Sequence, residues 1–255
     1  MEKIIAIANQ KGGVGKTTTA VNLCAALAKR NKKVLLLDCD PQGNASTGMG
    51  IKKNKVKGIY DVMLRGTPIR DAIVITKYGD VVASNSALAG ANIELVAIEG
   101  RENILKTKLK PILDSYDYIL IDCPPSLELM TLNSLTAADC VLIPVQCEYY
   151  ALEGLNDLMN TLRLVKRRMN PKLEIEGILL TMYDSRTKLT ADVERALRRN
   201  FPGKVYKTMI PRNIRLSEAP SHGKPCIAYD KSSKGSRAYL HAASELLKRL
   251  KGEED

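Results

Sequence analysis

Runs of aliphatic residues alternate with amphipathic stretches along the whole length of the chain. These aliphatic runs, rich in Ile, Leu and Val, are apolar almost without interruption rather than at every second position. Uninterrupted apolar runs are typical of parallel strands whose two faces are both covered by helices. They predict strands at residues 3–8, 33–38, 81–83, 118–122, 140–145, 175–181 and 204–208.

The stretches between the predicted strands have the apolar spacing of amphipathic helices. Strand and helix alternate from end to end, which predicts a single doubly wound α/β domain over residues 1–255, with a mostly parallel sheet and helices on both faces. Residues 43–75, rich in Gly and Lys, fit neither pattern, and we expect a mobile segment beside the functional site there. The predicted helices cover residues 18–30, 102–114, 129–137, 152–169, 191–200 and 236–251.

Composition is consistent with one folded domain. A chain of 255 residues with 45% apolar residues, no Trp and one Phe can bury a large and mostly aliphatic core. No apolar run approaches the roughly 18 residues of a membrane span, and the N-terminus lacks the pattern of a secretory signal, so we expect a cytoplasmic protein with no membrane partner. The six cysteines form no C-x-x-C motif, and we expect small buried thiols rather than a metal scaffold.

Positive charge is concentrated in the second part of the chain. Residues 1–150 carry 18 Lys and Arg against 15 Asp and Glu, whereas residues 151–255 carry 21 against 13. The net charge of +11 therefore divides into +3 and +8. Basic side chains that contact phosphates release condensed counterions, so the asymmetry favours a polyanionic partner; a solvated surface is the alternative reading of the same charges.

A glycine-rich stretch, Q-K-G-G-V-G-K-T-T, follows the first predicted strand. It supplies the G-K-T end of the phosphate loop pattern G-x-x-x-x-G-K-[ST], with Gln10 where the first Gly is expected. Glycines let backbone N–H groups turn toward phosphate oxygens, and the positive end of the next helix faces the same anion. We expect Lys16 to reach the β- and γ-phosphates of ATP and the Thr17 hydroxyl to bind Mg²⁺. The expected nucleotide-binding residues are Gly12, Gly13, Val14, Gly15, Lys16, Thr17 and Thr18.

Carboxylates follow two of the predicted strands. Asp122 ends an apolar strand at the carboxyl edge of the sheet, where ligands bind in open α/β folds, and we expect it to hold Mg²⁺. A helix N-cap is the structural alternative for this residue. Asp38 and Asp40 follow the second strand at the same edge. Like charges so close together are unfavourable without a cation, so Mg²⁺ and the nearby lysines account for them.

Five further features turn this pattern into a family resemblance. Lys11, ahead of the phosphate loop, marks the deviant Walker A class of P-loop NTPases. The other features are D-C-D-P-Q-G-N at 38–44, I-L-I-D-C-P-P-S at 119–126, P-V-Q-C-E-Y-Y-A-L-E-G at 144–154, and I-P-R-N-I-R-L-S-E-A-P-S-H-G-K-P at 210–225. Taken in order, these motifs closely resemble the ParA (Soj-type) partition ATPases from the first strand to the last helix.

The resemblance implies roles for individual residues. Asp40 is expected to position the water that attacks ATP, with Asp38 supporting the site. Lys11 is similar to the family's signature lysine, which reaches across a dimer interface to the partner's nucleotide, and Gly12 lies at the same close approach. Lys11, Lys16 and Asp40 are therefore the implied catalytic residues, and Lys11 joins the nucleotide-binding set. The implied magnesium ligands are Thr17, Asp38 and Asp122.

The resemblance also implies partners. Pro211 and Asn213 are expected to contact the adenine base. The family's ATP-bound dimer binds double-stranded DNA without sequence specificity and partitions it with a ParB-type protein, so a nucleoid-associated ATPase is implied. Because no base-reading motif is evident, we expect backbone contacts and strong salt dependence. The DNA-binding candidates are Arg186, Lys231, Lys234 and Lys248.

Four other functions are alternatives to a partition ATPase. A MinD-like, membrane-associated positioning ATPase shares the phosphate loop but needs a C-terminal amphipathic helix that lies on lipid, whereas here the last helix ends L-K-R-L-K-G before acids. An iron–sulfur carrier needs paired cysteine ligands, for which the cysteine spacings give little support. A dinucleotide-dependent dehydrogenase needs G-x-G-x-x-G at the first helix, which is missing. A nucleotide sensor that does not hydrolyse ATP is compatible with the motifs.

Overall fold

The computed structural model describes residues 3–253, apart from the Asn54 side chain, and one sheet runs through them. Its strands are β1 (Lys3–Ile7), β2 (Val34–Asp38), β3 (Ile73–Val74), β4 (Asp80–Val82), β5 (Tyr118–Asp122), β6 (Cys140–Gln146) and β7 (Glu174–Thr181). Their order across the sheet is β3-β4-β2-β5-β1-β6-β7. Neighbouring strands are parallel, except for the antiparallel β3–β4 pair at one edge. The predicted doubly wound, mostly parallel α/β sheet is confirmed.

Helices cover both faces of this sheet. They are α1 (Lys16–Ala28), α2 (Asn44–Gly48), α3 (Ile59–Leu64), α4 (Ile69–Ala72), α5 (Ala91–Val96), α6 (Ile104–Leu109), α7 (Leu129–Ala137), α8 (Ala151–Arg168), α9 (Lys188–Asn200), α10 (Ile214–Glu218), α11 (Cys226–Tyr229) and α12 (Lys234–Lys251). Short 3₁₀ turns lie at Lys53–Lys55, Ser86–Gly90, Arg101–Asn103, Lys110–Ser115 and Ala219–His222.

Each face of the sheet has its own apolar core, because successive strand residues point to opposite sides. In β1, Ile4 and Ala6 join one buried cluster, whereas Ile5 and Ile7 join the other. The first cluster contains residues of α7 and α8, and the second contains residues of α1 and α12. The six cysteines are buried and free, as their spacing predicts.

The predicted strand at residues 204–208 is wrong. Val205 forms a single parallel bridge with β7, and the segment is not a strand. The N–H groups of Lys207 and Thr208 donate instead to the carboxylate of Glu245 in α12, at 2.7 and 2.8 Å. A side chain from a distant helix thus takes the donors that would have extended the sheet.

Two other stretches depart from prediction. Residues 43–75 contain α2, α3, α4 and β3 rather than irregular chain, because Ile59 and Val62 of α3 are fully buried in the core. The helix predicted at residues 102–114 is shorter. Its regular part is α6, and the chain continues as a 3₁₀ turn at Pro111, whose ring and missing N–H disfavour an α-helix.

Candidate nucleotide-binding site

The glycine-rich loop joins β1 to the first turn of α1 in a conformation that glycine makes possible. Gly13 and Gly15 have φ of +74° and +88°, in the left-handed region that residues with side chains rarely adopt. Val14, between them, is buried, and its carbonyl oxygen accepts a 2.8 Å hydrogen bond from the Thr181 hydroxyl of β7. The Asn9 side chain accepts from the N–H of Lys11 at 3.0 Å. The loop is therefore anchored at its start and at its middle.

Lys16 places a buried ammonium group at this loop. Lys16 is only 7% exposed, and its Nζ donates a hydrogen bond to the carbonyl oxygen of Lys11 at 3.0 Å. Burial lowers the pKa of Lys16, while the nearby Asp122 and Asp40 carboxylates oppose that change. The positive charge therefore lies where the loop's N–H groups and the N-terminus of α1 also attract an anion.

Asp122, at the end of β5, is a buried acid whose carboxylate lacks a well-aligned hydrogen-bond donor among the described residues. Within residues 3–253, neither carboxylate oxygen has a hydrogen-bond donor in bonding geometry. Burial raises its pKa well above the ordinary range, Asp38 and Asp40 add to the rise, and the nearby Thr17 hydroxyl and Lys16 oppose it. The helix-cap alternative is not met, since α7 begins only at Leu129. A bound cation would compensate these buried carboxylate oxygens for the hydrogen bonds that they lack.

Asp38, the neighbour of Asp122 across the sheet, has both oxygens engaged. One oxygen accepts hydrogen bonds from the backbone N–H and the hydroxyl of Ser46, at 2.7 and 2.6 Å. The other accepts from the N–H of Asp40, at 3.3 Å. Burial raises the pKa of Asp38 to about 6, although the Ser46 hydrogen bonds act in the opposite direction. These contacts give Asp38 a supporting role behind Asp40; its place among magnesium ligands stays a prediction.

Asp40 lies on the loop between β2 and α2, close to both acids. Its carboxylate accepts a 2.9 Å hydrogen bond from the N–H of Gln42, and its carbonyl oxygen accepts one of 2.9 Å from Gly43. The residue is mostly buried. The sheet edge therefore brings together the predicted catalytic Lys16 and Asp40 and the predicted magnesium residues Thr17 and Asp122.

The residues at this edge fit a magnesium ion that shares its ligands with a nucleotide. Among residues 3–253, no group of three or more His, Cys, Asp and Glu side chains could hold a metal ion unaided. Mg²⁺ is typically bound by one or two carboxylates together with phosphates and water. The open oxygens of Asp122 and the hydroxyl of Thr17 match that limited protein contribution.

A cavity of ≈ 530 Å³ opens beside the phosphate loop. Gly13 and Thr18 line it on one side, and Met182, Pro211 and Asn213 line it on the other. Among the described residues, the buried Oδ1 of Asn213 has no hydrogen-bond partner. A cavity of this size, with both apolar and polar side chains in its lining, suits a planar ligand such as a base. The structure thus places both residues predicted for the adenine base next to the loop.

Lys11 is paired within its own chain. Its ammonium group forms an ion pair with Glu148, and the two side chains are 37% and 41% exposed. The next residues, Tyr149 and Tyr150, are exposed by 77% and 63%, and their rings meet edge to face with centroids 5.0 Å apart. Glu148 lies in the motif at 144–154 and follows β6 closely, but no sequence pattern predicts its pairing with Lys11.

The predicted DNA-binding residues of α12 lie at its two ends. Arg186 is exposed but makes a two-bond ion pair with Asp184, at 2.9 and 2.7 Å. Lys231 lies three residues before α12 and Lys234 is its first residue, and both are exposed. Lys248 lies in the last turn of the same helix, 14 positions after Lys234 and hence about 21 Å away. The structure therefore separates Lys248 from the other α12 candidates.

The last helix also bears on the membrane alternative. Ala242, Ala243 and Leu246 of α12 are fully buried in the core cluster that contains α1, and Leu247 and Leu250 pack against the same cluster. The apolar side of this helix is thus used within the chain. Across residues 3–253, no helix has the length and apolar character needed to cross a bilayer.

The sequence is similar to a known protein family and to individual characterised proteins. Residues 2–175 match the family described as an AAA domain. The sequence is 57% identical to the sporulation initiation inhibitor protein Soj of Bacillus subtilis, over 96% of this chain and 98% of that protein. It is 53% identical to the chromosome partitioning protein ParA of Myxococcus xanthus, over 97% of this chain and 88% of that protein.

Solved structures with the same fold include nucleotide complexes. Cobyrinic acid a,c-diamide synthase from Mycobacterium smegmatis with bound ADP and magnesium is 36% identical, with a TM-score of 0.87, and the match covers 100% of this chain and 97% of that one. The cell division ATPase MinD of Pyrococcus furiosus is 28% identical, with a TM-score of 0.80, over 97% of this chain and 99% of that one.

Proposed function

Because this chain belongs to the ParA (Soj-type) family of chromosome-partitioning proteins, we propose that it is a magnesium-dependent ATPase whose nucleotide state controls dimerisation and DNA binding. One observation carries the proposal. A preformed phosphate loop with the buried Lys16 lies next to Asp122, a buried acid whose two oxygens lack a hydrogen-bond partner in the described part of the chain.

The nucleotide would bind with its phosphates in the loop. The N–H groups of residues 12–18 donate to phosphate oxygens, and Lys16 leaves the carbonyl oxygen of Lys11 to contact the β- and γ-phosphates. Thr17 and Asp122 would hold Mg²⁺, which neutralises charge on the phosphates. The adenine base would enter the adjoining cavity, which Met182, Pro211 and Asn213 line.

Asp40 would orient the water that attacks the γ-phosphate. Its carboxylate is held by Gln42, and its backbone is held by Asp38, so its position is fixed before ATP arrives. Phosphoryl transfer depends mainly on positioning and on stabilisation of charge, which the loop N–H groups and Lys16 supply.

Lys11 would complete the site of a second copy of the chain. To do so, the Lys11 ammonium group must break its ion pair with Glu148. The phosphates of the ATP bound to the second copy then take the place of the Glu148 carboxylate as its partner. Hydrolysis removes the γ-phosphate and weakens the dimer, which makes the nucleotide a two-state switch.

The ATP-bound dimer would bind double-stranded DNA through exposed basic residues and act with a ParB-type partner. One candidate contact is formed by Lys231 and Lys234, near the start of α12, and a second by Lys248 in its last turn. Arg186 is a third candidate, but it would have to exchange its ion pair with Asp184 for a DNA phosphate. We further propose a cytoplasmic, nucleoid-associated protein and a single domain over residues 1–255. The single sheet supports that domain for residues 3–253, and residues 1, 2, 254 and 255 lie outside the described residues.

ATP turnover tests the proposal. Wild-type protein is expected to release phosphate from ATP only with Mg²⁺, and to do so faster when arbitrary duplex DNA and a ParB-type protein are both added. Lys16→Ala is the matched control, since it removes the phosphate-binding ammonium group. Turnover by Lys16→Ala at the wild-type rate, or no salt-sensitive affinity of the ATP-bound wild type for duplex DNA, would contradict the proposal.

A further inference from the structure

A lysine from a different segment lies against the loop that carries Asp40. Lys53 is in the connection between α2 and α3, and its Nζ donates a 2.7 Å hydrogen bond to the carbonyl oxygen of Gln42. The N–H of the same Gln42 donates to Oδ1 of Asp40, at 2.9 Å. Gln42 is therefore held on both sides, by the ammonium group at its carbonyl oxygen and by the carboxylate at its N–H.

Gly43 provides the space that Lys53 occupies. It has a φ of +62°, and a Cβ added to it would lie 2.5 Å from Cδ and 2.9 Å from Nζ of Lys53. Any side chain at this position would displace the lysine stem. The stem crosses the glycine and ends at the carbonyl oxygen of the preceding residue, so the contact depends on the absence of a Cβ.

The hydrogen bond from Gln42 is the one that orients the Asp40 carboxylate. A second bond in the loop, from the N–H of Gly43 to the carbonyl oxygen of Asp40, fixes the backbone and leaves the side chain free to rotate. The two hydrogen bonds act on successive peptide groups, and a fixed Gln42 backbone between them orients the carboxylate. Lys53 contributes to that immobility from outside the loop.

We propose that Lys53 is a positioning residue for ATP hydrolysis, which acts through Gln42 to hold the Asp40 carboxylate toward the attacking water. The inference rests on the proposed function, in which Asp40 orients that water. Loss of the Lys53 hydrogen bond leaves the phosphate loop intact, because the bond joins Lys53 to Gln42 and not to residues 12–18. The effect therefore falls on turnover rather than on nucleotide binding.

The segment itself offers a matched control. Lys55 lies two residues away, is exposed, and carries the same charge. Replacement of Lys55 removes one positive charge from the segment and keeps the Gln42 contact. A purely electrostatic effect of the segment would change both variants alike.

Steady-state ATP hydrolysis without DNA tests the proposal on wild type, Lys53→Ala, Lys53→Met, Lys53→Arg and Lys55→Ala. We expect Lys53→Ala and Lys53→Met to lower kcat on the order of tenfold, because small displacements of a catalytic group are costly. KM for ATP is expected to stay within about twofold, as for an interaction that matters only during reaction. Lys53→Arg still has a donor and is expected to recover most of the rate, and Lys55→Ala is expected to match wild type.

A double variant separates positioning from a general structural effect. In an Asp40→Ala background, Lys53→Ala is expected to cause no further loss, since the group that it positions is gone. The proposal is overturned if Lys53→Ala and Lys55→Ala have equal kcat, if KM rises as much as kcat falls, or if the loss persists in the Asp40→Ala background. A wild-type protein that does not hydrolyse ATP contradicts the proposed function and this inference together, whereas wild-type turnover with an unaffected Lys53→Ala contradicts this inference alone.

Discussion

The ends of β2 and β5 lie side by side at the carboxyl edge of the sheet, where Asp38 is paired in register with Asp122. Both acids are fully buried, yet their surroundings differ. Asp38 accepts three hydrogen bonds from Ser46 and Asp40. Asp122 accepts none in bonding geometry from any described residue.

This difference gives the two neighbouring carboxylates different roles, one in stability and one in cation binding. The satisfied acid at the end of β2 contributes to the fold of the Asp40 loop and hence to stability. The unsatisfied acid at the end of β5 costs stability in the free protein, because a buried polar group without a partner retains its desolvation penalty. That cost is offset only when a cation binds the carboxylate. Substitutions at the end of β5 should therefore lower activity without lowering stability, whereas substitutions at the end of β2 should lower stability.

The largest effect is expected at Asp122. Asp122→Asn removes the charge that a cation requires, and ATP turnover should fall on the order of a hundredfold or more. The nucleotide-free variant should be at least as stable as wild type, because no protein hydrogen bond is lost. Phosphate release and urea unfolding measure the two quantities. Near-wild-type turnover together with a large loss of stability would reverse the assignment.

The next effect is expected at the other strand end. Ser46→Ala removes the hydroxyl that donates to Asp38 at 2.6 Å and also accepts from the N–H of Ser84 at 3.0 Å. The free energy of unfolding should fall by about 1–3 kcal/mol, since two buried groups lose a partner. Thr47→Ala, in the same helix, is the control, because its hydroxyl donates only to the helix backbone. Unchanged stability of Ser46→Ala in urea would remove the contrast between the two strand ends.

Acidity provides a third test of the contrast. Burial raises the pKa of Asp38 to about 6 and that of Asp122 well above its ordinary range, whereas in the unfolded chain both release their protons near pH 4. At these two positions the folded state therefore binds more protons, and the contribution of the two acids to stability falls as pH rises from about 4 to above 6. In nucleotide-free Asp122→Asn this fall should be smaller than in wild type. Equal slopes of unfolding free energy against pH would show that Asp122 does not take part.

The smallest effect is expected at the exposed ion pair. Glu148→Gln frees Lys11 from its partner, and partly exposed pairs of this kind are worth about 0–1 kcal/mol. Because each dimer releases two such pairs, ATP-dependent dimers should form at up to about thirtyfold lower protein concentration. Sedimentation with ATP measures the change, and Glu153→Gln is the control. Weaker dimers in Glu148→Gln would mean that Glu148 supports the dimer instead of competing with it.

The same two strand ends explain how much the sequence could reveal. Asp122 and Asp38 were predictable, because each acid terminates an uninterrupted apolar run and so falls at the carboxyl edge of a parallel sheet. Ser46 and Lys53 were not, because their partners, Asp38 and Gln42, lie eight and eleven residues away across turns that carry no periodic pattern.

Longer-range side-chain contacts set the remaining limit. Glu245 takes the N–H groups of Lys207 and Thr208 across nearly forty positions, and this contact replaces a strand that the apolar pattern predicts. Lys234 and Lys248 share a strongly basic stretch of sequence but lie at opposite ends of α12. Charge composition therefore indicates a polyanionic partner without indicating its contact surface.

The most direct test of the account is the dependence of ATP affinity on magnesium, measured by calorimetry on wild type and on Asp122→Asn. If the open carboxylate at the end of β5 is the protein's magnesium ligand, Mg²⁺ should tighten ATP binding to wild type and should tighten it much less in Asp122→Asn, with similar affinity of the two proteins when Mg²⁺ is absent. An equal gain in affinity from Mg²⁺ in both proteins would contradict the account.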